Sequence, residues 1–177
     1  ALPLSVGALY LIALQVLSAL AAAHAKGIVH RDLKPANLFI ARHPSGGETV
    51  KLLDFGNCRL LTPDQNELKL TRTGAVMGTP YYMSPEQATG EQTVDERTDL
   101  WAVGVILYEA LTGELPFPGD NCNQVLHRIA TRKHQAPTLL LPSLPRGVAA
   151  VISRALEKDP DRRHAGADEM AGELRPF

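Results

Sequence analysis

Four residues in two short stretches carry groups that chemistry can use. Asp32, Lys34 and Asn37 lie in HRDLKPANLFI (His30 to Ile40), and Asp54 lies in LLDFG (Leu52 to Gly56). A carboxylate such as Asp32 can accept the proton of an attacking hydroxyl. A second carboxylate, Asp54, and an amide oxygen, Asn37, suit a hard divalent cation such as Mg2+. Lys34, two residues beyond the first carboxylate, can offset charge that develops on phosphoryl oxygens. Transfer of a phosphoryl group from ATP asks for this set, because the protein's part there is mostly positioning and charge neutralisation. Taken one at a time, an Asp or Asn reads equally well as a turn or cap residue whose side chain bonds nearby backbone. The fixed order of all the parts is what points to chemistry.

The elements that must position these groups are legible around them. NLFIA and TVKLLD read as two short apolar strands flanking a turn at Pro44, Ser45, Gly46 and Gly47. Antiparallel pairing would bring Asn37 and Asp54 to the same end, where they could share a metal. Before the loop, Ala1 to Ala23 carries no charge. Leu9, Ile12, Val16 and Leu20 recur there at helical spacing, with Gln15 and Ser18 on another side. That pattern, interrupted by Pro3 and Gly7, predicts a mostly buried helix of a soluble domain and no membrane span; no basic leader marks it as a signal peptide. Further helices are expected from Thr98 to Leu111 (ending near Gly113), from Asn123 to Thr131, from Gly147 to Glu157 and from Gly166 to Glu173. A proline-punctuated run, Pro137 to Pro145, separates the second of these from the third.

Bulk properties narrow the class. The 177 residues are 45% hydrophobic and 21% charged, ordinary for one globular unit. A net charge of -1 gives no basic stripe for nucleic acid. Two cysteines, Cys58 and Cys122, make neither a disulfide framework nor a zinc site, and they fit a reducing cytoplasm.

The HRDLKPAN and DFG strings resemble the catalytic and metal-binding loops of protein kinases. The wording LSALAAAHAKGIVHRDLKPANLFI and MGTPYYMSPEQA is most similar to bacterial Hanks-type serine/threonine kinases. This resemblance extends over nearly the whole chain and implies a mainly α fold with a small β-hairpin, the large C-terminal lobe of the kinase-like fold, spanning residues 1–177. It implies a protein substrate with Ser or Thr hydroxyls, ATP, and Mg2+ or Mn2+. By resemblance, Asp32 orients the hydroxyl and Lys34 assists it. Asn37 and Asp54 hold metal and nucleotide, and Phe39 helps floor the adenine pocket with Leu38 and Ile40. Asp99 anchors the catalytic-loop backbone, and His30 packs beneath Phe55. Glu86 of the SPE triplet pairs with Arg163 of KDPDRR in a buried, charge-assisted bond. Arg31 is expected to pair with a phosphorylated Thr71 or Thr73, ordering that loop, and Thr79 to shape a peptide-binding ledge against Asp32 and Lys34. Asn57 and Cys58 after DFG, and His164 where a proline is common, depart from the family wording.

No Gly-rich phosphate-covering loop occurs in the 177 residues, nor a VAIK-type Lys with its helix Glu. The resemblance then implies a large lobe whose N-terminal lobe is not in this sequence, and a piece that alone binds ATP poorly. Two other readings stand beside it. One is a non-catalytic kinase-lobe module that docks partners. The other is a small-molecule phosphotransferase, which has no reason to carry GTPYYMSPEQ with an Arg163 partner.

Overall fold

The structure, a computed structural model, describes residues 6–43, 46–54, 59–60, 80–91 and 94–177. Its centre is a helix α3, Arg97–Thr112, whose residues from Thr98 to Tyr108 are buried except for Ile106. A helix apolar on nearly every side must be enclosed by other elements. Helix α1 (Val6–His24) covers one side and helix α6 (Arg146–Ala155) another. Gly104 permits the second contact: a Cβ there would stand 2.8 Å from the Ala155 Cβ. The helix ends at Gly113, which takes a left-handed φ of 77° and donates its N–H to Glu109 O, a conformation that costs glycine nothing.

Helix α1 is long and apolar enough to cross a membrane by length and composition, with a mean hydropathy of 2.0. Only 28% of that apolar stretch is buried, so the helix is less covered than the expected mostly buried one, and it packs by one face. Tyr10, Ala13, Val16, Leu17 and Leu20 face the core, and the helix lies against α3, strand β3 (Glu48–Leu52) and helix α7 (Ala167–Leu174). Gln15 reinforces this by accepting from Val50 N at 2.9 Å. Val6 and Leu11 remain exposed.

The expected hairpin is present: β2 (Leu38–Arg42) pairs antiparallel with β3, with Leu38 opposite Leu52 and Ile40 opposite Val50. A second, shorter antiparallel pair joins β1 (Ile28–Val29) to β4 (Arg59–Leu60). Two-residue strands carry no readable alternation, so the sequence alone does not announce them. The remaining helices follow the sequence reading within a residue or two: α4 is Cys122–Thr131, capped by the Asn121 side chain, followed by α6 and α7. Two one-turn helices exceed it: α2 (Pro85–Ala88) and α5 (Pro137–Leu140), the latter inside the proline-punctuated run. Each starts with proline at its first position, where the fixed φ suits a helix and the absent N–H is not missed. Among the described residues the chain is therefore mainly α, with two small antiparallel sheets.

An aromatic column closes the far side of α3. Trp101 and Phe117 stack with ring centroids 5.5 Å apart, and Lys158 Nζ sits 3.7 Å from the Phe117 centroid and 4.7 Å from that of Trp101. This ammonium is buried without a hydrogen-bond acceptor. Ring faces attract a cation, yet burial, and then the nearby Arg163 charge, push the amine down to about 7 from its ordinary 10.5. The unfolded chain protonates this amine below 10.5 and the folded one only below about 7. Between those limits the unfolded state holds the extra proton, so stability should rise with pH. Lys158→Met should flatten that rise in urea unfolding compared at pH 7.5 and 9.5; an unchanged slope would contradict the assignment.

Candidate functional site

The loop from His30 to Asn37 runs between β1 and β2 and is fixed from beneath by α3. Asp99, in the first turn of that helix and 1% exposed, accepts from His30 N through Oδ2 and from Arg31 N through Oδ1, each at 2.9 Å. His24 Nε2, at the end of α1, lies 2.8 Å from the same Oδ2. Arg31 takes a left-handed φ of 65°. For a residue with a Cβ this conformation is strained and persists only where surroundings over-determine it. The two carboxylate bonds do so here.

Beyond Arg31, three of the sequence-selected groups come together. Lys34 Nζ donates to Asp32 Oδ2 at 2.8 Å. Asn37, buried at the end of a one-turn 3-10 helix (Pro35–Asn37), donates Nδ2 to Asp32 O at 2.8 Å. Asp32 keeps 38% of its side-chain surface and Lys34 36%, so both functional ends reach solvent where a substrate could meet them. The hairpin brings in the fourth group. Leu53 N donates to Asn37 O at 2.9 Å, which seats Asp54 next in chain beside Asn37. Asp54 is exposed and also left-handed, with φ 56°. Thus the two strained non-glycine residues among those described flank the same loop cluster.

The donor set fits Mg2+. Asn37 spends Nδ2 on backbone, which leaves its Oδ1 as the acceptor for a cation, and Asp54 offers an exposed carboxylate. Among the described residues no group of three or more His, Cys, Asp or Glu could hold a metal unaided. Mg2+ commonly takes one or two protein ligands and completes its octahedron with water and substrate phosphates. When bound, it would neutralise phosphate charge.

Phe39 is 53% exposed. Strand alternation sets it on the face opposite Leu38 and Ile40. Leu38 instead lines an apolar cavity with Ile12, Val16, Val103 and Leu107. Phe39 thus presents its ring on the open side of the hairpin, and Leu38 connects the opposite side to the core. His30 is fully buried, its Nε2 3.0 Å from Leu53 O. Phe55, its expected packing partner, lies outside the described residues, as do Thr71, Thr73 and Thr79. Arg31 donates Nη2 to Val94 O at 3.1 Å.

Glu86 and Arg163 meet in a two-pronged ion pair, Nη1 to Oε1 and Nη2 to Oε2 both at 2.7 Å. Arg163 also donates Nε to Glu157 O, Nη1 to Arg97 O and Nη2 to Lys158 O. All five guanidinium donors are thereby used. Glu86 belongs to α2, whose start is a reciprocal cap: Ser84 Oγ accepts from Gln87 N while Ser84 N donates to Gln87 Oε1. Gln87 also donates Nε2 to Arg31 O at 2.7 Å. Sequence reasoning passed over Gln87 and His24. The first had a local signal, since Ser-x-x-Gln is a capping-box spacing. The second had none, because its partner Asp99 is distant in sequence.

The family described as protein kinase domain matches residues 3–173. The serine/threonine-protein kinase pkn3 of Myxococcus xanthus is 43% identical over 175 residues, 98% of this chain and 32% of that protein. Serine/threonine-protein kinase Pkn1 of the same organism is 44% identical over 163 residues, 92% of this chain and 23% of the relative. Serine/threonine-protein kinase PknB of Mycolicibacterium smegmatis is 42% identical over 151 residues, 85% and 23% respectively. The chain thus spans a third or less of the length of these relatives.

Proposed function

The chain belongs to the protein kinase domain family, and on that premise we propose that the full-length protein transfers the ATP γ-phosphoryl group to Ser or Thr hydroxyls of protein substrates. The observation that carries this reading is the Asp32 carboxylate held beside Lys34 at 2.8 Å, on a loop whose backbone is bonded to Asp99. Asp32 accepts the proton of the incoming hydroxyl, and Lys34 offsets charge on the phosphoryl oxygens. Asn37 and Asp54 hold the divalent ion, and Phe39 lies under the nucleotide base. Lys34, together with relatives named as serine/threonine kinases, supports Ser and Thr over Tyr.

In the same proposal, residues 1–177 act as the large lobe. The phosphate-covering loop and the ATP-positioning Lys–Glu pair come from another part of the full-length protein, which works in the cytoplasm. Arg31 would pair with phosphorylated Thr71 or Thr73, and Thr79 would shape the substrate ledge. The test is label transfer from γ-labelled ATP by the purified full-length protein to a generic acceptor protein. Label is expected on Ser and Thr and is expected to vanish on chelation of Mg2+. A folded protein that transfers nothing would leave the lobe as a docking module, and label on Tyr alone would overturn the substrate class.

A further inference from the structure

The peptide that leads from Arg31 into Asp32 is restrained from two directions. Arg31 N donates to Asp99 Oδ1 at 2.9 Å, and Arg31 O accepts from Gln87 Nε2 at 2.7 Å. Gln87 is itself held, because its Oε1 accepts from Ser84 N at 3.0 Å and from Ser84 Oγ at 3.3 Å. The Ser84 hydroxyl in turn lies 2.6 Å from that of Thr98, which is buried in the first turn of α3 beside Asp99. The contacts close a ring: Asp99, Arg31, Gln87, Ser84, Thr98 and back to α3.

We propose that Gln87 is a positioning residue for phosphoryl transfer, its amide N–H fixing the peptide plane from which the Asp32 carboxylate projects. This rests on the assignment of Asp32 as the group that accepts the substrate proton. A peptide unit is planar, so the direction of Arg31 C=O sets the backbone on both sides of it, the Arg31 ψ and the Asp32 φ. Arg31 sits at φ 65°, a region that an L-residue leaves when its restraints are removed. The Asp99 bond restrains the plane before Arg31, and Gln87 restrains the plane after it. Gln87 also ties the angle of the base to the segment around α2, so disturbance of that segment reaches Asp32 through one side chain.

A mere cap would act only through Gln87 Oε1, whereas positioning acts through Nε2, and substitution separates the two. Gln87→Glu keeps an acceptor for Ser84 and replaces the donor by an oxygen that repels Arg31 O. In the full-length protein it should lower kcat by roughly ten- to hundredfold, the scale of a misplaced catalytic group, with KM for ATP changed by less than about twofold. Protonating the introduced carboxyl restores a donor, so this loss should shrink as pH falls from about 8 to 6. Wild type should show no such gain. Gln87→Met, uncharged and of similar length, removes donor and acceptor together and should give the same kcat loss without the pH recovery. Compared with Ser84→Ala, which loosens the cap, leaves Nε2 in place and should cost less, it carries the test if the Glu variant fails to fold. A kcat within about threefold of wild type for a folded Gln87 variant would overturn the proposal and leave Gln87 as a cap. Wild type and Asp32→Asn run alongside. An inactive wild type, or an Asp32→Asn variant with full turnover, would instead overturn the kinase reading on which the proposal stands.

Discussion

Asp32→Asn in the full-length protein should lower kcat for phosphoryl transfer by about 10²- to 10⁴-fold, the usual contribution of a positioned proton acceptor. The substitution is close to isosteric, and the structural duties of residue 32 are carried by its backbone. Asn37 Nδ2 bonds the Asp32 carbonyl, which the variant retains. What is lost is the carboxylate beside Lys34. That ion pair is more than a third exposed at both ends, so it contributes little to stability, and the thermal midpoint should stay near that of wild type. KM for ATP should hold too, because Asn37 and Asp54, the groups proposed to hold the metal, are untouched. Asp54→Asn should show the complementary pattern, with turnover lost and the requirement for Mg2+ raised. A folded Asp32→Asn variant that keeps more than about a tenth of wild-type kcat would remove Asp32 from its proposed role.

The hairpin and the long helices were readable because each carries its own periodicity. β2 and β3 alternate around a Gly-Gly turn, and α3 is an apolar run stopped by Gly113. The adjacency of Asn37 and Asp54 followed from the hairpin alone, since antiparallel strands must start and end together. The bonds that hold the loop in its strained shape were less legible. Gln87 to Arg31 O and His24 to Asp99 join residues 56 and 75 positions apart, and no local pattern states which distant carbonyl or carboxylate a side chain will meet. Phe39 shows the opposite case. Period-two alternation was available in the sequence and already sets Phe39 on the face opposite Leu38 and Ile40. α2 is intermediate, because Ser84 and Gln87 carry a capping-box spacing inside a stretch where no helix was expected.

Removing either partner of the Glu86–Arg163 pair should destabilise the full-length protein's kinase domain by about 3–5 kcal/mol, the cost of leaving one charge buried and unpaired. The geometry argues for the upper part of that range. The side chain of Arg163 is 0% and that of Glu86 4% exposed, so water cannot replace the missing partner without rearrangement. In Glu86→Ala the guanidinium keeps three backbone carbonyls, those of Glu157, Arg97 and Lys158, but loses its counter-charge. Lys158 is no substitute, since its amine is pushed down by burial and by the Arg163 charge itself. In Arg163→Met a carboxylate is stranded, and three carbonyls lose their donor at once, so this variant should be the worse of the two. The double variant Glu86→Ala with Arg163→Met separates attraction from desolvation. If the pair's own desolvation nearly offsets its attraction, the double variant should be more stable than Arg163→Met alone, giving a coupling energy of at least about 1 kcal/mol in a urea-unfolding cycle. Additive losses would mean that the two side chains act independently and that the two-pronged bond is incidental to the stability of α2. Because α2 carries Gln87 and Gln87 bonds the strained loop, non-additive loss should extend to turnover: Glu86→Ala should depress kcat in the fraction that remains folded, although Glu86 touches no reacting group.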